Sequence, residues 1–323
     1  MLALLKNIAT LDKKEELLEE VIVVNNNSSS DYSAIESFVN DNPNLPIQYI
    51  FSNENLGVAK GRNHAVTFAK APLLVMLDDD AELENSNALV AIADTFKNNA
   101  DLAIASFKVK YFSTLSMQIN AFPHKQFEKK KNLHFFETYY FAGGAHAIKK
   151  EAMEAVGGYP IDFFYGMEEY DLSYKLLAKG YKIVYTDSIV MLHKESPEGR
   201  PPHKEKMKML WLNKSKVAWR YLPIMYFYST SLMWSFEYLI KSNFDILGFC
   251  KGWSTIFSEI PKEERNPLSS STITYLKKLG ARLWYWLNQL SDILQVEFHP
   301  PFLLLIKCIG DIFLVIGFKI NVN

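Results

Sequence analysis

The chain has 323 residues, 49 % of them apolar and 22 % charged, with a formal net charge of −1. That composition excludes a disordered chain and allows a sizeable core in one large domain or two smaller ones. The near-neutral balance argues against a nucleic-acid partner. Two cysteines, Cys250 and Cys308, exclude a disulfide framework and a CxxC zinc site and fit a reducing compartment.

In chain order, Met1–Lys6 is too short an apolar stretch for a signal peptide. Val21–Val24 reads as a buried strand, followed by the polar turn Asn25–Ser30 and a helix over about 31–40. Ile47–Ser52 is a second strand, with a helix near 62–70. Leu73–Leu77 is a third, stopped by Asp78-Asp79-Asp80. This alternation predicts a parallel sheet with helices on its faces, where ligands bind beyond the carboxyl ends of the strands. Farther on, Gly143-Gly144 breaks a β-like run. Lys150–Val156 and Glu168–Lys179 predict helices, and Lys182–Tyr185 and Ile189–Leu192 two short strands. After Pro201-Pro202 the chain turns to long aromatic helical stretches, which divides it into a domain over 1–203 and a helical region over 204–323.

That second region carries membrane signals. Between Lys204 and Arg220 six basic residues face one acid, Glu205, with Trp211 and Trp219 among them. Leu222–Phe236 is an uncharged run of 15 residues, and Phe302–Phe318 is apolar apart from Lys307 and Asp311, which pair at i,i+4 in a helix. A spanning helix needs about 20 apolar residues. The expectation is therefore a segment lying on a membrane surface, its bases meeting anionic headgroups.

The chemistry concentrates in three acids and their surroundings. Asp78, Asp79 and Asp80 close an apolar strand and repel one another unless a cation compensates; hard oxygen ligands suit Mg²⁺ or Mn²⁺. In an extended segment Asp78 and Asp80 share one face while Asp79 points away. A solvated turn would explain the same residues. Glu168-Glu169-Tyr170-Asp171 opens a helix, which is either ordinary helix-start chemistry or a general base kept ionised by the helix dipole. His193 ends a strand and is a metal ligand only if the fold brings it to Asp80. The glycines of Asn53–Asn63 match no Walker or dinucleotide spacing, yet Lys60 and Arg62 sit at a helix start suited to phosphate.

Taken in order, VIVVNNNSSSD (Val21–Asp31), NENLGVAKGRNHAV (Asn53–Val66), LDDDAEL (Leu77–Leu83) and the block Phe141–His193 with its Glu-Glu-Tyr-Asp-Leu run resemble glycosyltransferase family 2. The likeness is to inverting enzymes of the bacterial rhamnosyltransferase-like, surface-polysaccharide type. It implies an α/β GT-A fold, a Rossmann-like mixed sheet over about residues 1–200. It also implies a nucleotide-diphosphate sugar donor near Asn25, Asn55, Arg62, Asp78 and Asp79. Mg²⁺ or Mn²⁺ would be held by Asp78, Asp80 and His193. Glu169 and Asp171 would be catalytic, and Gly143, Gly144 and Glu168 would lie on the acceptor side. The implied acceptor is a lipid-linked or polysaccharide hydroxyl at the inner, cytoplasmic face of the cell membrane.

This sequence departs from the family pattern at three points. Leu2–Ile8 matches the helix that normally follows the first strand, so that strand is missing and the chain reads as truncated or wrongly started. Asn25 replaces an acid, and Glu169 replaces an aspartate. The rival readings are a catalytically impaired binding or scaffold protein and a carboxylate-pair glycoside hydrolase.

Overall fold

The structure, a computed structural model, describes residues 1–97, 99–194, 201–281, 283 and 312–319. Helix α1 (Leu2–Ala9) buries Leu4, Leu5 and Ile8, and a single turn, α2 (Lys14–Leu17), leads into β1 (Leu18–Asn25). Then come α3 (Ser33–Asp41), β2 (Ile47–Phe51), α4 (Gly57–Phe68), β3 (Leu73–Asp78), β4 (Ala81–Leu83), α5 (Ala88–Lys97) and β5 (Leu102–Tyr111). Next are α6 (Phe127–Lys130), β6 (Phe135–Thr138), β7 (Ala145–Lys149), α7 (Lys150–Ala155), α8 (Glu168–Ala178) and β8 (Lys182–His193). Helices α9 (His203–Tyr221), α10 (Ile224–Lys241), α11 (Ile246–Ser258) and α12 (Ser270–Lys278) precede the last described strand, β9 (Ile312–Phe318).

The strands form one sheet in the order β2-β1-β9-β3-β7-β5-β8-β4, with β6 on β8. Strands β1 and β2 are parallel, as are β5 and β8, whereas β9 and β7 run antiparallel to their neighbours. The sheet is therefore mixed, not the wholly parallel one that strand–helix alternation suggested. Its parallel members still deliver Asn25, Asp78 and His193 to one edge, at the carboxyl ends of β1, β3 and β8.

Two sequence expectations are corrected here. Lys182–Tyr185 and Ile189–Leu192 are halves of one 12-residue strand, β8, whose pairing with β5 shifts register between Phe107 and Lys108. A bulge of that kind absorbs the polar Asp187-Ser188 without ending the strand.

The second correction concerns the apolar run at 302–318. Residues 312–318 are neither helix nor surface segment but β9, inserted between β1 and β3. It thus occupies the sheet position between β1 and β3, antiparallel to both. Leu314, Ile316 and Phe318 join the core on one face and Val315 the core on the other, all essentially inaccessible. A strand buried on both faces reads as a continuous apolar run, so its period does not distinguish it from a helix. Gly317 is required by packing. A Cβ there would meet the Ala71 Cβ at 2.5 Å and Glu20 Oε1 at 2.7 Å, where the Glu20 carboxylate accepts the backbone N–H groups of Lys70 and Ala71. Lys307 and Asp311 lie outside the described residues.

The basic, aromatic stretch of α9 turns inward. Trp211 is fully buried, stacked on Tyr238 and Phe249, and its indole N–H donates to the Ser231 carbonyl. Lys216 and Arg220 pair with Asp162 and Glu263. These two bases tie α9 to the loops that carry Asp162 and Glu263. Lys204 stays exposed, paired with Asp245, and the exposed side chains of α10 and α11 include the apolar Met225, Tyr228, Leu232, Phe236 and Leu247.

Candidate active site

The edge at the strand ends is assembled by pairing. After the Asp78–Asp80 turn, β4 runs antiparallel to β8 and sets Ala81 opposite His193. The Asn7 amide fixes β4 from the other side, donating to the Leu83 carbonyl and accepting the Leu83 N–H. Asp78, Asp80 and His193 consequently offer ligand atoms that all lie within 4.8 Å of one another. One divalent cation spans such a set with bonds of about 2.1 Å after small shifts. His193 Nε2 stands 3.3 Å from Asp80 Oδ1, and His193 Nδ1 lies 3.0 Å from Gln118 Oε1. If Nδ1–H donates to that amide oxygen, Nε2 presents its lone pair to a metal. Two electron-rich atoms facing each other are the chemistry a hard cation fits. Asp79 is pushed up to about 7, first of all by burial.

Arg62 of α4, 3 % exposed, joins this trio to the acids of α8. Its Nη2 lies 3.5 Å from Asp78 Oδ1, and its Nη1 lies 3.2 Å from Glu168 Oε1 and 3.8 Å from Glu169 Oε1. The guanidinium bridges the two groups of acids. Gly57 makes that approach possible. With φ +70° it lets Val58 N–H donate to the Phe164 carbonyl at 2.8 Å, where any Cβ would strike Phe164. Below Arg62, the Tyr159 hydroxyl donates to His146 Nε2, and His146 Nδ1–H donates to the Ala142 carbonyl. Burial, then the Arg62 charge, pushes His146 down to about 3, so it stays neutral and anchors the Ala142 carbonyl next to Gly143.

Gly143 and Gly144 are fixed by their neighbours. A Cβ on Gly143 would overlap Glu169 Oε1, and one on Gly144 would overlap the Asp78 carboxylate. The Glu168-Glu169 pair follows Met167, a non-glycine residue at φ +72°, a conformation that stores about 1 kcal/mol or more. The helix dipole was expected to keep the pair ionised, but burial outweighs it. Glu169 is raised to about 8 by burial first and by the Glu168 charge next, with Arg62 opposing; Glu168 is raised for the same leading reason.

Asp78, Gly143, Gly144, Glu168, Glu169 and His193 line one cavity of about 210 Å³. Asp171 is elsewhere. Its carboxylate, 1 % exposed, accepts from the Tyr221 hydroxyl at 2.8 Å and pairs with Lys175 at 2.9 Å and Arg220 at 3.4 Å, pinning α8 to α9. On the other flank, Asn25 closes its own loop, accepting from Ser28 N–H and donating to the Tyr49 hydroxyl. Asn55 Oδ1 accepts from Gly57 N–H and from the amide of Asn26, which in turn accepts Leu56 N–H. Asn26, Gln118, Tyr159 and His146 also belong to this architecture, although none of them stood out in the sequence.

Residues 2–157 match the model of the glycosyl transferase family 2 domain. An uncharacterized protein of Haemophilus influenzae is 34 % identical over 129 residues, which cover 39 % of this chain and 68 % of that protein. Among solved structures, GalNAc-T7 with UDP, GalNAc and Mn²⁺ superposes with a TM-score of 0.55 at 15 % identity, covering 81 % of this chain. The match takes in 55 % of the GalNAc-T7 chain. The mannosyltransferase PcManGT of Pyrobaculum calidifontis, in complex with GDP-Man and Mn²⁺, gives 0.50 at 18 % identity over 91 % of this chain and 79 % of that one. At such identities the likeness is one of fold, a mixed α/β GT-A-like sheet.

Proposed function

Because the chain belongs to glycosyl transferase family 2, we propose that it moves a sugar from a nucleotide-diphosphate donor to an acceptor hydroxyl, with inversion at the anomeric carbon. The observation that carries this reading is that Asp78 and His193 line the same cavity as Glu169. Asp78, Asp80 and His193 would hold Mg²⁺ or Mn²⁺, whose bound charge offsets the charge building on the leaving diphosphate. Glu169 takes the proton of the attacking hydroxyl, and its raised pKa makes it a stronger base than an ordinary carboxylate. Arg62 steadies both acid groups from below, and the bare Cα atoms of Gly143 and Gly144 leave room for substrate. Asn25, Asn55 and Asp79 border the nucleotide side. Asp171 is a positioning residue that sets α8 against α9. The nucleotides held by the two solved structures, UDP and GDP-Man, support a nucleotide donor.

A lipid-linked or polysaccharide acceptor offered at the inner face of the cell membrane fits the exposed apolar residues Met225, Tyr228, Leu232 and Phe236 along α10. Among the described residues no helix is long and apolar enough to cross a membrane. Flotation with anionic vesicles tests this contact, and protein remaining wholly soluble at low salt refutes it.

The transfer reading is tested by a panel of UDP-, GDP- and dTDP-sugars, a rhamnose donor included, scored by thermal shift with and without Mn²⁺. A ligand at a hundred times its Kd stabilises by about 2.7 kcal/mol, a shift of several degrees. Absence of any metal-dependent shift refutes the reading.

A further inference from the structure

The turn that launches the two acids of α8 is held by α4, α8 and α9 together. Gly166 and Met167 have successive φ values of +77° and +72°, and α8 begins at the next residue, Glu168. A residue with a Cβ keeps such a conformation only where its surroundings fix it. The carbonyls of the turn show what does so. That of Phe164 accepts the Val58 N–H of α4, and that of Met167 accepts the Tyr170 and Asp171 N–H groups of α8. The two between them, of Tyr165 and Gly166, both accept from the side-chain amide of Asn213 on α9, at 2.9 and 3.0 Å. Asn213 is 7 % exposed. Leu210, one turn earlier on α9, covers the bare face of Gly166, where a Cβ would stand 2.3 Å from Leu210 Cδ2. Leu210 lines the cavity, and Asn213 is not among the described residues that do.

A primary amide suits this place because its two N–H donors answer two neighbouring carbonyls with one neutral group. An apolar side chain of the same size would take those donors away, and a carboxylate would set its charge against two carbonyl oxygens. Either way the turn loses bonds that oppose its strain, and the start of α8 moves with it. We propose that Asn213 is a positioning residue for Glu169, which it serves by holding the 165–167 turn and so the direction in which α8 begins. The fit is close at the other end as well, where Glu169 Oε1 fills the space a Cβ on Gly143 would need. A shift of about 1 Å in a reacting group costs about 10²-fold in rate. Asn213 thereby acts through the base without reaching the substrate. The part played by Glu169 rests on the transfer reading; the hold on the turn does not.

The test uses the full chain and the nucleotide sugar that gives the Mn²⁺-dependent thermal shift. Hydrolysis of that donor, with water in place of the acceptor hydroxyl, supplies kcat and KM. In Asn213→Leu and Asn213→Asp, kcat should fall about 10²-fold while the donor KM stays near wild type. The pH at which the rate rises should also move below the wild-type value of about 8, because a displaced carboxylate gains water. Unchanged kcat, or a loss confined to KM, overturns the proposal. Ile316→Ala, weakened in the sheet core, should keep kcat; an equal loss there reduces the effect to lost stability and overturns the proposal too. Should both Asn213 variants fail to fold, Asn213→Gln decides, its donors displaced by one methylene. Lowered kcat at unchanged KM then supports the role, and wild-type kcat overturns it. Hydrogen exchange reads the turn without catalysis. In whichever Asn213 variant folds, the amides of 163–172 should exchange about tenfold faster, with those of β3 unchanged. Unchanged exchange over 163–172 overturns the proposal. If no donor is turned over, exchange alone judges the hold on the turn; if none binds, the transfer reading falls as well.

Discussion

Truncating Ile316 to alanine tests whether β9 occupies the middle of the sheet. Ile316 is fully buried and is held in register between Val21 and Val75. Isoleucine-to-alanine changes at such sites cost about 2–5 kcal/mol, from lost transfer free energy plus the cavity left behind. Taking about 3 kcal/mol and the scaling for larger domains, the melting temperature should fall by roughly 6–12 °C. Calorimetry or intrinsic fluorescence reads this directly. Ile119→Ala serves as control. Its side chain is 58 % exposed, so its change should stay within about 0.5 kcal/mol. Gly317→Ala should destabilise by about 1–3 kcal/mol, since its methyl group collides with Ala71 and Glu20. If Ile316→Ala melts with the wild type, the strand is not where the sheet pairing puts it, and the argument for a filled central position fails.

Further expectations concern the site and the helix that carries its acids. Asp80→Ala should abolish the Mn²⁺-dependent thermal shift and the transfer rate, because it removes one of three ligands; an EDTA-insensitive rate would refute the metal centre. Glu169→Gln should lower kcat by about 10²–10⁴-fold while nucleotide binding persists, and the wild-type rate should rise with pH towards about 8 as the carboxylate loses its proton. The same raised pKa has a stability consequence with a fixed sign. Its contribution is present below the usual 4.5 and is lost as pH climbs through about 8, so the metal-free protein should lose melting temperature relative to Glu169→Gln across that window. Asp171→Asn should destabilise by about 3 kcal/mol through loss of its buried pairs with Lys175 and Arg220, yet leave kcat of the folded enzyme near wild type. A selective loss of kcat would make it catalytic.

What could be read ahead of the structure follows from local chemistry. Asp78 and Asp80 announce themselves because like charges ending an apolar strand demand a counter-charge, and the turn that closes β3 brings both to His193. His193 is legible only as the end of a strand; that Ala81 pairs with it is a long-range fact. The protonation of Glu169 was misjudged for a definable reason. A helix dipole is visible in the order of residues, whereas the burial that outweighs it comes from α9 and the Gly143-Gly144 turn, distant in the chain. Gln118 was silent because nothing in periodicity tells which polar residue of a loop turns inward. Residues 312–318 were misread as a membrane-surface run because a strand covered on both sides has lost the alternation that identifies one.

The placement of β9 also governs the order in which the molecule can be made. Val23 and Leu314 are neighbours in the sheet although about 290 positions separate them along the chain. During synthesis the edges of β1 and β3 emerge first and must wait, unpaired towards each other, until the ribosome has delivered β9. Closing so long a loop late favours slow maturation, and exposed edges recruit other chains meanwhile. A cell making this protein therefore has reason to shield the nascent sheet with chaperones until β9 arrives.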